Sequence, residues 1–411
     1  MRRAWPRELL CAVLVWMWAP IVPAATVDSE WPGWLGPHRD GKSPDTGLLK
    51  EWPAGGPPLL WKVDGIGKGF SSVAVSGAMV YVTGDLDGKL MVSAFDLEGK
   101  PKWKIAHGQA WNQDPGGSRS TPAIDGGKLY LISGSGLIGC YDAKTGRRHW
   151  TKQMSTLGGG TPGWGYSESV LVLKTVAIVT PGGKSCIVAL DKATGEKLWG
   201  SMGFSARAHY GSCIAFMYQN VPVVVAGTGD GIAGVNGRTG VKLFFNDFSA
   251  GNTANCPTPA YSDGYVFWAN GYGKGGICLK LSVVGGRLSA REAWTTRDMV
   301  CHHGGYVIDK GYIYGNHEGG WTCLDLKTGQ KKWYADGVGK GSLCYADGML
   351  YLFGEGGGQA GLATCSPDGM EMKGRFKVDG RGPSWAHPVV IGGRLYLRYD
   401  DNLYCYDVKA K

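Results

Sequence analysis

Six short non-repeating segments hold the side chains of this sequence best placed to do chemistry: SRSTP from Ser118, WGYSES from Trp164, RAHYGS from Arg207, CHHGG from Cys301, GKGS from Gly339 and SWAHP from Ser384. They supply Arg119, Trp164, Glu168, Arg207, His209, His302, His303, Lys340, Trp385 and His387, including four of the chain's eight histidines. Guanidinium and ammonium groups suit anions, and imidazole with carboxylate suits several divalent metals. One reading is a polar pocket for an anionic or hydroxyl-rich ligand. The other is that these groups satisfy buried backbone amides and bridge water in a narrow channel. A metal centre is not expected: His302 and His303 are vicinal, and neighbouring residues on a strand point to opposite faces. No catalytic residue can be named from the pattern.

The elements that position these segments are repeats. A strand end, an Asp, a turn ending in Gly and then a Trp recur as YDAKTGRRHW from Tyr141, LDKATGEKLW from Leu190 and LDLKTGQKKW from Leu324. Weaker copies are FDLEGKPKW from Phe95, VNGRTGVKLFF from Val235 and a stretched one from Leu279 to Trp294. Cys365 to Phe376 keeps only the turn, and YCYDVKAK from Tyr404 stops before any Trp. The missing aromatic stands at the other end of the chain, in LLWKV with Trp61. A second phrase alternates with the first: an apolar stretch, a Gly-containing turn and an alternating strand, as in PAIDGGKLYL from Pro122 and PVVIGGRLYL from Pro388. Each phrase forms a hairpin, so each unit has about four strands.

The aromatic closures Trp61, Trp103, Trp150, Trp199, Phe244 or Phe245, Trp294, Trp333 and Phe376 mark eight units over residues 61–411, about 44 residues apiece. The expected fold is all-β, an eight-bladed β-propeller of four-stranded blades whose ring is closed by an N-terminal strand. In the repeat, Gly146, Gly195, Gly240 and Gly329 supply the turn's positive φ, and the Asp caps its backbone. The recurring Trp is expected to pack between blades and donate its indole hydrogen to the neighbouring unit. Cys140, Cys323 and Cys405 stand two residues before the turn Asp, where other units have Ala94, Ala189 or Gly234, so the position demands a small residue. Cys256 and Cys301 sit at comparable registers of consecutive units, which leaves a disulfide between them open.

Glycine supplies 69 of 411 residues, with 17 Trp and 19 Tyr, which excludes a disordered chain, a coiled coil and a helical bundle. A formal charge of +9 with no Lys/Arg run gives no nucleic-acid patch. Residues 1–25 read as a cleaved signal peptide: Arg2, Arg3 and Arg7 precede an apolar stretch from Leu9 to Ala19, followed by small residues at Ala24-Ala25. That stretch is too short to span a bilayer, and residues 26–60 form a lead-in to the propeller. The expected location is the periplasm or the exterior.

The phrase D-x-x-T-G-x-x-x-W resembles the repeat of the pyrroloquinoline-quinone-type propellers, and the resemblance runs from about Trp61 to the C-terminus. WPGWLGPHRDGKSPDTGLLKEWP from Trp31, CHHGG from Cys301 and SWAHPVVIGGRLYLR from Ser384 are similar to exported single-domain members from planctomycete-type bacteria. The resemblance implies either of two roles. One is that of the noncatalytic propeller lipoprotein of outer-membrane barrel assembly; here Cys11 precedes the apolar stretch, so no lipid anchor is expected. The other is a quinone- and calcium-dependent alcohol or sugar dehydrogenase. That role would make Glu168, with Asn255 or Asn270, the metal ligands, and would pair Arg119, Arg207 or Lys340 with the quinone carboxylates. Such enzymes carry adjacent cysteines and long roofing loops over the cofactor, and this sequence has neither. A carbohydrate-binding or carbohydrate-acting propeller using His209, His302, His303 and His387 is a third reading. The expectation is an exported, monomeric, noncatalytic propeller without cofactor, binding envelope or extracellular proteins or an anionic or hydroxyl-rich small ligand.

Overall fold

The structure is a computed structural model that describes residues 30–411. The expected leader, with Cys11, lies outside the described residues. Thirty-two strands form eight four-stranded antiparallel sheets, arranged as the blades of an eight-bladed propeller. The blades cover residues 74–109, 123–153, 171–200, 214–246, 260–296, 306–335, 341–377 and 389–407, and are numbered 1 to 8 in that order. Blade 8 takes its fourth strand, Leu59–Val63, from the N-terminal side.

Each blade is covered on both faces by its neighbours, so its middle strands are apolar almost throughout. Val223, Val224, Val225 and Ala226 of blade 4, and Leu350 to Phe353 of blade 7, are all buried. The outermost strands are solvated on one side; no residue of Arg148–Gln153 is buried, and Arg148, His149 and Thr151 are exposed.

The Asp-Gly-Trp phrase couples one blade to the next. Asp142 Oδ1 accepts from the Thr145 amide (2.8 Å) and hydroxyl (2.7 Å), and Asp191 and Asp325 repeat the arrangement. The turn glycine has two reasons to lack a side chain. Gly195 sits at φ 77°, and a Cβ there would lie 2.7 Å from the Trp150 ring of the preceding blade. The same Trp donates its indole N–H forward, to the carbonyl just past the turn Asp: Trp103 to Ala143, Trp150 to Lys192 and Trp294 to Leu326, at 3.0–3.2 Å. Across the strand pair each Trp faces the small residue: Ala94 opposite Trp103, Cys140 opposite Trp150, Cys323 opposite Trp333. In blade 4 Phe244 takes that register, opposite Gly234.

The ring closes through Leu59–Val63, which pairs antiparallel with Asn402–Asp407 and sets Trp61 opposite Cys405. Trp61 then donates to Leu97 of blade 1 at 2.7 Å, as its counterparts do elsewhere. Buried Arg398 of blade 8 ties the same seam: its guanidinium reaches Ser71 Oγ (2.7 Å), the Gly67 carbonyl (2.8 Å) and the Thr83 carbonyl.

Residues 30–43 pack across the end of the channel marked by the first hairpin turns, and residues 45–58 run outward over blades 7 and 8. Trp31 bridges Val75 of blade 1, and the Pro32 carbonyl accepts from Ile124 of blade 2. Arg39 donates to the Ser169 and Val170 carbonyls of blade 3, Lys42 pairs with Asp309 of blade 6, and Ser43 bonds Tyr345 of blade 7. Trp31 is buried in this way, and Leu48 and Trp52 are buried farther along, against blades 7 and 8. The lead-in is thus a plug for one mouth of the channel.

Candidate functional site

The other mouth opens into a pit. At the start of the innermost strand, or just before it, seven blades offer a polar residue, Ser72, Thr121, Ser169, Ser212, Thr258, Ser342 and His387, and blade 6 has Gly305. In most blades these groups form a girdle around the channel. The Ser72 amide donates to Thr121 Oγ1, Thr121 to Ser169 Oγ, Ser169 to Ser212 Oγ and Ser212 to Thr258 Oγ1, at 2.9–3.3 Å, while the His387 amide donates to Ser72 Oγ. Inner-strand ends leave amides with no ladder partner, and the hydroxyl of the next blade satisfies each. The lead-in's Trp34 reaches this level from below: its indole donates to Thr258 Oγ1 (2.9 Å) and its ring meets His387 at 4.6 Å.

Two residues before each girdle position, and facing the same way, stand Phe70, Arg119, Ser167, Tyr210, Cys256, His303, Lys340 and Trp385. All but Lys340 line a cavity of about 320 Å³, together with Trp34, Trp164, Tyr272, His302 and His387. Ligand pockets span roughly 300–1,000 Å³, so the space suits one ring or one side chain. Its walls are mainly aromatic.

The sequence-nominated residues therefore divide. Arg119, Trp164, His302, His303, Trp385 and His387 come together in the pit. Arg207 and His209 line an adjoining cleft that shares Trp164 and Tyr210 with the pit; there Arg207 is paired with Asp230 (2.7 Å) and His209 Nδ1 accepts from the Asn255 amide (2.9 Å). Lys340 is at the rim, paired with Glu355 (2.8 Å). Glu168 is wholly buried with one oxygen on the Thr180 amide (2.7 Å), and does not line the pit. Trp34, Phe70, Tyr210, Tyr272, Cys256 and Glu355 were not nominated. The first four are ordinary core types in composition, and only their register relative to the girdle would have marked three of the six, Phe70, Tyr210 and Cys256.

One expectation is corrected, and one point left open by the sequence is answered. His302 and His303 are not on a strand but in a bend, so vicinality does not separate them: their ring centroids are 5.4 Å apart and both face the pit. The CHHGG segment builds that bend. Gly304 abuts blade 7 so closely that a Cβ would meet the Gly341 carbonyl oxygen at 1.6 Å, and Gly305 has φ 67°. Cys256 and Cys301 are both free thiols; Cys301 Sγ contacts the Gly305 carbonyl at 3.5 Å, whereas Cys256 lines the pit.

Burial controls the electrostatics. It pushes the Cys256 thiol up to about 12, so no thiolate nucleophile is present at neutral pH. It pulls His302 and His387 down to about 4 and His303 well below its ordinary value, which keeps all three imidazoles neutral. Arg119 is lowered to about 10 and stays charged, but its guanidinium is committed to the Gly117 carbonyl (3.0 Å) and the Pro115 carbonyl.

The residues do not fit pyrroloquinoline quinone with calcium. The quinone carries three carboxylates, and the pit offers one guanidinium, already engaged, while Arg207 and Lys340 are ion-paired outside it. Glu168, Asn255 and Asn270 do not line the pit, and Asn255 spends its amide on Ala250, Ser249 and Gly251. The ten described cysteines are all free, so no disulfide covers the pit.

Fold and site thus define a class: an eight-bladed propeller with one mouth plugged by its own lead-in and a blind aromatic pit at the other. The family described as outer membrane protein assembly factor BamB matches residues 88–335, and the chain belongs to this family of PQQ-like repeats. Among solved structures, BamB from Moraxella catarrhalis is 15% identical with a TM-score of 0.62, covering 86% of this chain and 98% of its own. Quinohemoprotein alcohol dehydrogenase from Comamonas testosteroni is 13% identical with a TM-score of 0.66, over 93% of this chain and 81% of that one. A europium-containing methanol dehydrogenase is also 13% identical, with a TM-score of 0.54. At these identities the likeness is one of fold alone. No curated protein matches the sequence.

Proposed function

We propose that this chain is a noncatalytic, exported binding propeller of the cell envelope, and that its pit holds a ring of a hydroxyl-rich envelope ligand such as a glycan. One observation carries the reading: six aromatic side chains, Trp34, Phe70, Trp164, Tyr210, Tyr272 and Trp385, converge on a cavity sized for one ring, with hydroxyl and imidazole groups at its edge. Aromatic faces take the apolar face of a sugar, and Ser167, Ser212 and His387 meet its hydroxyls. The family's printed description supports an envelope setting, and the leader expected at residues 1–25 supports export. The rigid disc and its loops serve as the scaffold.

Calorimetric titration with methyl glycosides and short oligosaccharides of glucose, galactose and N-acetylglucosamine tests this. Saturable binding is expected, weakened at least about tenfold by Trp385→Ala and by Trp34→Ala but not by Arg207→Ala. Binding indifferent to both Trp substitutions would sink the pit as the site. Saturable quinone binding with calcium, accompanied by dye reduction on primary alcohols, would return the dehydrogenase reading.

A further inference from the structure

His302, His303 and Glu355 each present one donor atom, and the three atoms lie within 4.8 Å of one another. They form the one such group found among the described residues. The two imidazoles come from the bend before blade 6, and the carboxylate from the residue after the blade 7 strand Met349–Gly354. A second observation points to an occupant: both ring nitrogens of His303 are buried and have no hydrogen-bond partner. Buried polar atoms of a native fold are almost always satisfied, and nothing in blades 6 or 7 does so here.

We propose that these three side chains bind a divalent transition-metal ion of the zinc class at the wall of the pit. The donor set of two nitrogens and one oxygen suits zinc, cobalt(II) or nickel(II) better than calcium, which takes six to eight oxygens. Three protein ligands leave one position open to water or another ligand. An outer set of contacts is in place: Trp385 Nε1 donates to Glu355 Oε1 at 2.6 Å, which orients the carboxylate, and the Tyr272 hydroxyl lies 3.3 Å from His302 Nε2. Lys340 holds Glu355 Oε2 at 2.8 Å, so in the metal-free protein its ammonium occupies the cation's role. Its side chain is partly solvent-exposed and can swing outward when an ion enters. The inference is independent of what ring the pit accepts.

The test uses the mature protein after dialysis against a chelator. Cobalt(II) titration followed by visible absorption, and zinc titration followed by calorimetry, should each show one site. His303→Ala and Glu355→Gln should weaken it at least about thirtyfold with melting temperature and near-UV circular dichroism retained, and Arg207→Ala should not change it. Lys340→Met should tighten binding several-fold, because it removes the competing cation. X-ray absorption of the zinc-loaded protein should show two imidazole shells, a readout that stands even if His303→Ala fails to fold. No saturable zinc heat, unchanged or weaker binding in Lys340→Met, or an oxygen-only coordination shell would each overturn the proposal.

Discussion

Glu168 is a carboxylate enclosed with Arg39, Tyr166, Cys186 and Cys213, and burial raises it from 4.5 to about 7 against the opposing Thr180 hydrogen bonds and the charge of Arg39. An unfolded chain releases this proton near pH 4.5, whereas the folded chain keeps it until about pH 7. Stability from this group is therefore fully present below pH 4.5, falls as pH rises through that window and is level above it. Glu168→Gln keeps an acceptor for Thr180 and should remove this slope, stabilising the protein at pH 8 by on the order of 3 kcal/mol relative to pH 4.5. Denaturant unfolding at pH 4.5, 6 and 8 measures it, and an undiminished slope in the variant would refute the assignment. At this scale the sequence was a partial guide. The polar segments were visible, but Glu168 was placed facing the channel when only its neighbour Ser167 does so, because a one-residue step on extended chain reverses direction. His302 and His303 went astray for the opposite reason: Gly304 and Gly305 turn the chain into a bend, where the alternation of a strand no longer applies.

The blade repeats were legible because their logic is local. A turn Asp, a glycine with positive φ, a small residue and a Trp all fall within about one hairpin, and each has one structural use. Phe244 shows the limit: two adjacent Phe could have filled the Trp register, and only pairing with Gly234 distinguishes them. The seam between blades 8 and 1 depends on contacts more than 300 residues apart in sequence, and it concentrates the consequences of mutation. Trp61→Ala removes a half-buried indole and its bond to Leu97, and should destabilise by about 2 kcal/mol. Arg398→Met strands the carbonyls of Gly67 and Thr83 and should cost about 3 kcal/mol. Equilibrium unfolding of both variants checks these values; a neutral Arg398→Met would show that solvent satisfies the seam instead.

As a whole the molecule is a ring stoppered by its own chain, and nothing in residues 30–58 repeats, so no pattern announced that the segment seals the channel. Its contacts are scattered over most of the blades, with blade 7 taking the largest share, and only the assembled ring brings them together. A chain beginning at Leu59 keeps the closing strand but loses Trp31, Leu48 and Trp52 from the core. It should retain its β-sheet circular dichroism, lose at least about 5 kcal/mol of stability and lose glycoside binding, since Trp34 is the pit floor. Undiminished affinity in that shortened protein would mean that the floor is dispensable.

The borrowed strand of blade 8 also imposes an order in time. Leu59–Val63 is among the earliest strands to leave the ribosome, yet its partner Asn402–Asp407 is made some 340 residues later, roughly 20–70 seconds of synthesis at ordinary rates. Throughout that interval the backbone of Leu59–Val63 has no strand to pair with, and a chain terminated before Asn402 never supplies one. The latch thus doubles as a completeness check: truncated products keep an open arc with unpaired edges, while a full-length chain pairs Leu59–Val63 with Asn402–Asp407 and closes the ring.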